Sequence, residues 1–196
     1  MTWPTAMLAA ICVLVAPPPR QQAPAPTRVV RFTPATTFSG PVKSGVCRPS
    51  LVVDRSDASR CAVGDTTYDP CFTTDHAGRA RCGIDPREPA SGVVVESPAG
   101  ASPSGATHVA GLRAWFFELE DGTTCQPMIF GGGREVDRMT ELYTCRFALP
   151  GEADGVLGEL DSSGPVWTIQ QVSLNKKMDP PIIKSLVVAA VRTVWQ

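Results

Sequence analysis

Histidine is nearly missing from this sequence: His76 and His108 are the only two in 196 residues. Any mechanism that leans on imidazole must use one of them, and both stand in small-residue surroundings that read as loops. The motifs that place a nucleophile or a catalytic metal are missing as well. No G-x-S-x-G elbow, H-E-x-x-H helix, S-x-x-K pair or papain-like cysteine context occurs. Charge of one sign is not concentrated anywhere, because 18 basic residues face 19 acidic ones without a run of either. Such a chain has no electrostatic grip on a phosphate backbone or an anionic bilayer surface, which argues against nucleic acid as a partner. The apolar stretch from Thr5 to Ala16 (TAMLAAICVLVA) falls short of the about 20 residues that a spanning helix needs.

That stretch has the length of a signal-peptide core, and Pro17-Pro18-Pro19 ends it. No Lys or Arg precedes it, and the small-x-small site Ala23-Pro24-Ala25 runs into Pro26, so three modes of export stay open. Residues 1–25 are a cleaved signal or a retained anchor, or Cys12 carries a lipid although Ile11 stands where a small residue is wanted. Seven prolines between residues 17 and 41 predict an extended tether, placed at 26–41. The Ser/Gly/Ala/Pro-rich run from Ser97 to Thr107 predicts a linker at 98–107, between a four-cysteine half (42–97) and a two-cysteine half (108–196).

With Cys12 set aside, six cysteines remain: Cys47, Cys61, Cys71, Cys82, Cys125 and Cys145. An even number behind an export-like start reads as a disulfide framework. Zinc is the competing reading, but none of these lies two residues from another and the histidines are not spaced as a ligand pair, so no metal or other cofactor is expected. Spacing alone leaves fifteen pairings open. One pair can be argued locally. In CFTTDHAGRARC, four residues flank each side of Asp75-His76-Ala77-Gly78, a hairpin loop in which Asp75 makes a turn hydrogen bond, so Cys71 faces Cys82. Cys47 and Cys61 then bridge the preceding loop by elimination, and Cys125–Cys145 would clamp neighbouring strands.

The clearest hairpin signal is AWFFELE (Ala114 to Glu120), with Trp115, Phe117 and Leu119 on one face and Phe116, Glu118 and Glu120 on the other. Asp121-Gly122 predicts a two-residue turn into a strand from Thr123 to Ile129, which Pro127 should confine to an edge or a bulge. Further strands are predicted at Gly92 to Glu96, Leu142 to Phe147, Val156 to Glu159, Val166 to Leu174 and Val187 to Trp195, the last with a short helix as its alternative. The fold class is mainly β: disulfide-braced antiparallel hairpins and sheets, little helix, one body or two small packed subdomains.

Several residue groups invite chemistry and have simpler readings. Asp54, Asp57, Asp65 and Asp69 are not spaced as a calcium loop and read as turn-capping carboxylates. Glu118 and Glu120 share a strand face, which suits a solvated hairpin better than a glycosidase pair. Gly131-Gly132-Gly133 opens no phosphate-binding helix. Trp115, Phe116, Phe117, Trp167 and Trp195 read as core. Phe116, if exposed beside Pro127, is the first candidate for a contact surface.

With cysteines and strands placed, four stretches carry a resemblance: DASRCAVGDTTYDPCF (Asp57 to Phe72), LEDGTTC (Leu119 to Cys125), Tyr143-Thr144-Cys145 and GPVWT (Gly164 to Thr168). The chain resembles a group of uncharacterised exported proteins and extracellular domains of high-GC Gram-positive bacteria. The resemblance implies an envelope or extracellular setting and brings no activity with it. The expected function is a non-enzymatic binding domain for a protein or an envelope component, touching membrane only through its N-terminus. The alternatives are a secreted hydrolase working through His76 or His108, and a protease inhibitor presenting the loop from Gln126 to Gly131.

Overall fold

The computed structural model describes residues 23–35, 40–88, 90–98, 114–128, 135–136, 139–146, 155–175 and 182–196. The apolar N-terminal stretch with Cys12, most of the expected linker, His108 and the glycine triplet lie outside the described residues. Among those residues the chain is all β, without a helix.

The first half forms a six-stranded half-barrel. Its strands are β2 (Val42–Ser44), β3 (Val46–Pro49), β4 (Ala58–Val63), β5 (Thr66–Thr73), β6 (Arg79–Cys82) and β7 (Val93–Glu96), in the order β2-β7-β6-β5-β4-β3. Four are joined as antiparallel hairpins from β3 to β6, each strand returning beside its predecessor. The β5–β6 loop is the expected four residues, but its local hydrogen bond comes from Thr74, whose Oγ1 accepts from the His76 amide at 3.3 Å.

The second half closes on itself. Strands β8 (Phe116–Leu119), β9 (Thr124–Pro127), β12 (Tyr143–Arg146), β13 (Gly155–Asp161), β14 (Thr168–Asn175) and β15 (Ile182–Trp195) run up and down, and β15 returns to β8. A small hairpin, β10 (Glu135–Val136) with β11 (Met139–Thr140), interrupts the series before β12. The C-terminal segment is one long strand and not a helix. Its first part pairs with β14 and its last with β8, which closes the barrel. β9 pairs with β8 on one side and β12 on the other, so it is not the edge that Pro127 suggested, and closure through β15 removes the edge that β8 would otherwise present. Met128 N donates to Leu142 O, which makes Pro127–Tyr143 a non-hydrogen-bonded pair on that side. The missing proline N–H therefore faces the other side, opposite Trp115, just before β8 begins.

The Asp121-Gly122 turn also differs from expectation. Phe117 pairs with Cys125 and Glu118 with Thr124, which leaves a three-residue loop, Glu120 to Gly122. Gly122 takes φ 86°, the left-handed residue that closes such a loop.

The stretch read as a tether contributes to the fold. β1 (Arg28–Val30) adds to β15 in parallel, Arg28 opposite Thr193 and Val30 opposite Trp195. Phe32 follows it into the interior at 4% exposure. Ala35 accepts a hydrogen bond at 3.0 Å from Arg81, a fully buried guanidinium of the half-barrel.

Two main cores result, with a third between them and a smaller cluster of Leu157 and Val172 besides. Phe117, Leu119, Tyr143, Val156, Ile169 and Val194 fill the barrel. The four cysteines of the first half pack with Ala80 and Val95 inside the half-barrel. Between the sheets, Phe32, Phe72, Trp115, Phe116 and Trp195 form a continuous aromatic chain with centroid spacings of 5.1 to 6.0 Å. Contacts of this kind add about 0.5–1.5 kcal/mol each beyond area burial, so the two halves are welded rather than beaded. Trp115 thus leaves the face assigned to it with Phe117 and Leu119. It precedes the first β8 residue and turns to the inter-sheet core.

All six cysteines beyond Cys12 are paired. Cys47–Cys61, Cys71–Cys82 and Cys125–Cys145 each join directly opposed residues of adjacent antiparallel strands, with Cα separations of 4.1, 4.2 and 4.0 Å. Separations that short belong to the non-hydrogen-bonded positions of a ladder. The first pair is the one expected by elimination, and it spans the β3–β4 loop as a cross-strand staple. Such bonds fit an oxidising, extracytoplasmic compartment.

Candidate functional site

The two sheets meet along the aromatic core and part at one margin, leaving a cleft of about 540 Å³. That is the size range of sites for small ligands. One wall comes from the half-barrel, with Thr67, Tyr68 and Asp69 of β5 and the Gly83 to Arg87 segment after β6. The other comes from the barrel, with Phe116 of β8, Thr124 to Gln126 of β9, and Thr144 and Arg146 of β12.

Strand alternation explains the second wall. Cys125 and Tyr143 point into the barrel core, so their neighbours point out. Register then places Gln126 opposite Thr144 and Thr124 opposite Arg146, a polar quartet on one outward face. The Cys125–Cys145 bond lies between these pairs and fixes the two strands at that level.

The charges in the cleft are unequally committed. Asp69 accepts from Ser50 Oγ at 2.5 Å and from Leu51 N at 2.9 Å, holding the chain after β3. Asp85 and Arg87 form an ion pair at 2.5 Å, and the Arg87 guanidinium lies over the Phe116 ring. The hydrogen bond from Arg87 holds the Asp85 carboxyl below its usual range, with a smaller contribution from the positive field of Arg146. Arg146 is the fourth charge and is exposed. Among the described residues no hydrogen bond or ion pair engages it. Trp115 also lines the cleft; it is 3% exposed and its buried indole N–H has no acceptor among the described residues. A buried donor left unmatched costs about 1–3 kcal/mol.

Other residues singled out from sequence fall elsewhere. His76 is exposed at the tip of the β5–β6 loop, away from any second catalytic group in the cleft lining. Phe116 is 7% exposed and Pro127 is buried, so the contact surface expected of them does not form. Phe116 packs between Trp115 and Trp195, and Pro127 is enclosed between strands. Glu118 and Glu120 are bracketed by Arg192, at 3.4 and 3.5 Å, rather than set as an acid pair. Arg192 is the bulged residue between Val191 and Thr193, which turns it towards both carboxylates. Asp57 is clamped by Arg55 at 2.6 Å, and that hydrogen bond lowers its pKa. Of the loop from Gln126 to Gly131, the last three residues lie outside the described residues. Cys61, Cys71 and Cys82 bring their sulfurs within 4.8 Å of one another, a cluster that two adjacent disulfides account for.

No protein-family model, curated protein or solved structure matches the chain. Function must therefore be argued from the cleft itself.

Proposed function

We propose that this protein is a non-enzymatic, extracytoplasmic binding domain that holds its ligand in the cleft between barrel and half-barrel. The observation that carries the reading is the composition and rigidity of that cleft. Its walls are braced by disulfides and by the shared aromatic core, while its lining offers hydroxyls, an amide and a guanidinium without an ion pair among the described residues. Among the described residues the lining holds no histidine and no free thiol, so the groups that activate a nucleophile are not gathered by them. The resemblance to exported proteins and the signal-like start favour a cell-envelope or secreted setting.

The test pairs recognition with turnover. Immobilised Thr144→Trp, which fills the cleft from its barrel wall, is compared with the parent chain for retention of envelope components. The parent should retain a component that Thr144→Trp does not, and neither should hydrolyse a panel of esters, peptides and glycans. Turnover that disappears when a polar cluster is mutated would make the protein a hydrolase instead.

A further inference from the structure

Resting on the binding reading above, we propose that the ligand of the cleft is a carboxylate-bearing oligosaccharide whose carboxylate pairs with Arg146. Four charged side chains line the cleft, and three are already engaged: Asp69 by Ser50 and the Leu51 amide, Asp85 and Arg87 by each other. Arg146 is left as the one cation there without an ion pair among the described residues; the four charges sum to zero, so it offers a ligand one local pairing point for an anion and not a positive field. Guanidinium groups bind planar carboxylates through two parallel hydrogen bonds, which suits an acid group better than a diffuse negative surface.

What surrounds Arg146 selects the rest of the ligand. Register sets Thr124 opposite it and places Thr144 and Gln126 one step along the same face, while Thr67 and Tyr68 stand in the facing wall. These are hydroxyls and an amide, groups that donate and accept, as a polyol requires. Of the cleft aromatics, Trp115 and Phe116 are buried against each other with Arg87 over the Phe116 ring, which leaves Tyr68, half-buried in the facing wall, to offer a ring face beside its hydroxyl. The volume of about 540 Å³ accommodates about two or three sugar rings. Trp115 lines the cleft and its indole N–H has no partner among the described residues, so its resonance serves as a reporter.

The experiment titrates the disulfide-intact chain with di- and trisaccharides of hexuronic acids, following the Trp115 indole resonance by NMR. Their carboxyl-reduced counterparts and a short peptide with a free C-terminal carboxylate run in parallel. A uronate should shift the Trp115 signal, and both carboxyl reduction and Arg146→Gln should weaken binding by about tenfold or more. Arg146→Lys should restore part of that loss. If no uronate binds, or if Arg146→Gln binds as the parent does, the ligand assignment is overturned. Should the peptide or a reduced sugar bind instead and still shift Trp115, the assignment falls while the cleft remains the site. A ligand that binds without moving Trp115 and survives Thr144→Trp overturns both.

Discussion

The Arg87 guanidinium lies 5.7 Å from the centroid of the Phe116 ring, so a cation of the half-barrel rests on an aromatic side chain of the barrel. Asp85 holds it there from the other side. The contact spans the mouth of the cleft and ties its two walls together by polar means where the aromatic core ends.

Removing that contact should cost little stability but alter its pH dependence. Both side chains of the ion pair are partly exposed, so Arg87→Ala is expected to lose about 0.5–1 kcal/mol. The Asp85 carboxyl titrates below its usual range in the folded chain, chiefly because Arg87 donates to it. Its contribution is therefore complete above the unfolded-state value of about 4 and is lost as pH falls through the lower folded value. Denaturation midpoints between pH 7 and pH 2 should show the Arg87→Ala deficit at neutral pH and convergence with the parent in acid.

Phe32 tests whether the proline-rich stretch is structural. It is buried at 4% exposure against Phe72 and Trp115, so Phe32→Ala should cost about 3–5 kcal/mol by urea denaturation under non-reducing conditions. A loss under about 0.5 kcal/mol would return residues 26–35 to the role of a tether.

Gly92 leads into β7 with φ 99°, and a Cβ there would collide with the carbonyl oxygen of Cys82. Gly92→Ala should therefore lower stability by about 1–3 kcal/mol, although the residue is neither charged nor part of the cleft. Thermal unfolding of the variant beside its parent checks this.

What could be read from sequence was what the chain settles locally. The pairing of Cys71 with Cys82 follows from four residues on either side of a four-residue loop, and the alternation in AWFFELE places Phe117 and Leu119 inside the barrel. Features made by distant partners were hidden. Val30 finds Trp195 only because β15 returns to the start of the chain, and β9 is an interior strand only because β12 comes back to it from beyond the β10–β11 hairpin. Tyr68, Asp85, Gln126 and Arg146 share no motif, for they come from β5, the segment after β6, β9 and β12. Arg146 could be singled out only after its neighbours were seen to be paired with something else.

The architecture depends on six sulfurs bonded across adjacent strands, each bond worth about 2–4 kcal/mol in a body of this kind. Proteolysis of the native, unreduced protein followed by mass mapping tests this most directly. The expected linked peptides join Cys47 to Cys61, Cys71 to Cys82 and Cys125 to Cys145, with no free thiol among the six. Free thiols at these positions, or links between other partners, would contradict both the fold and the compartment argued for it.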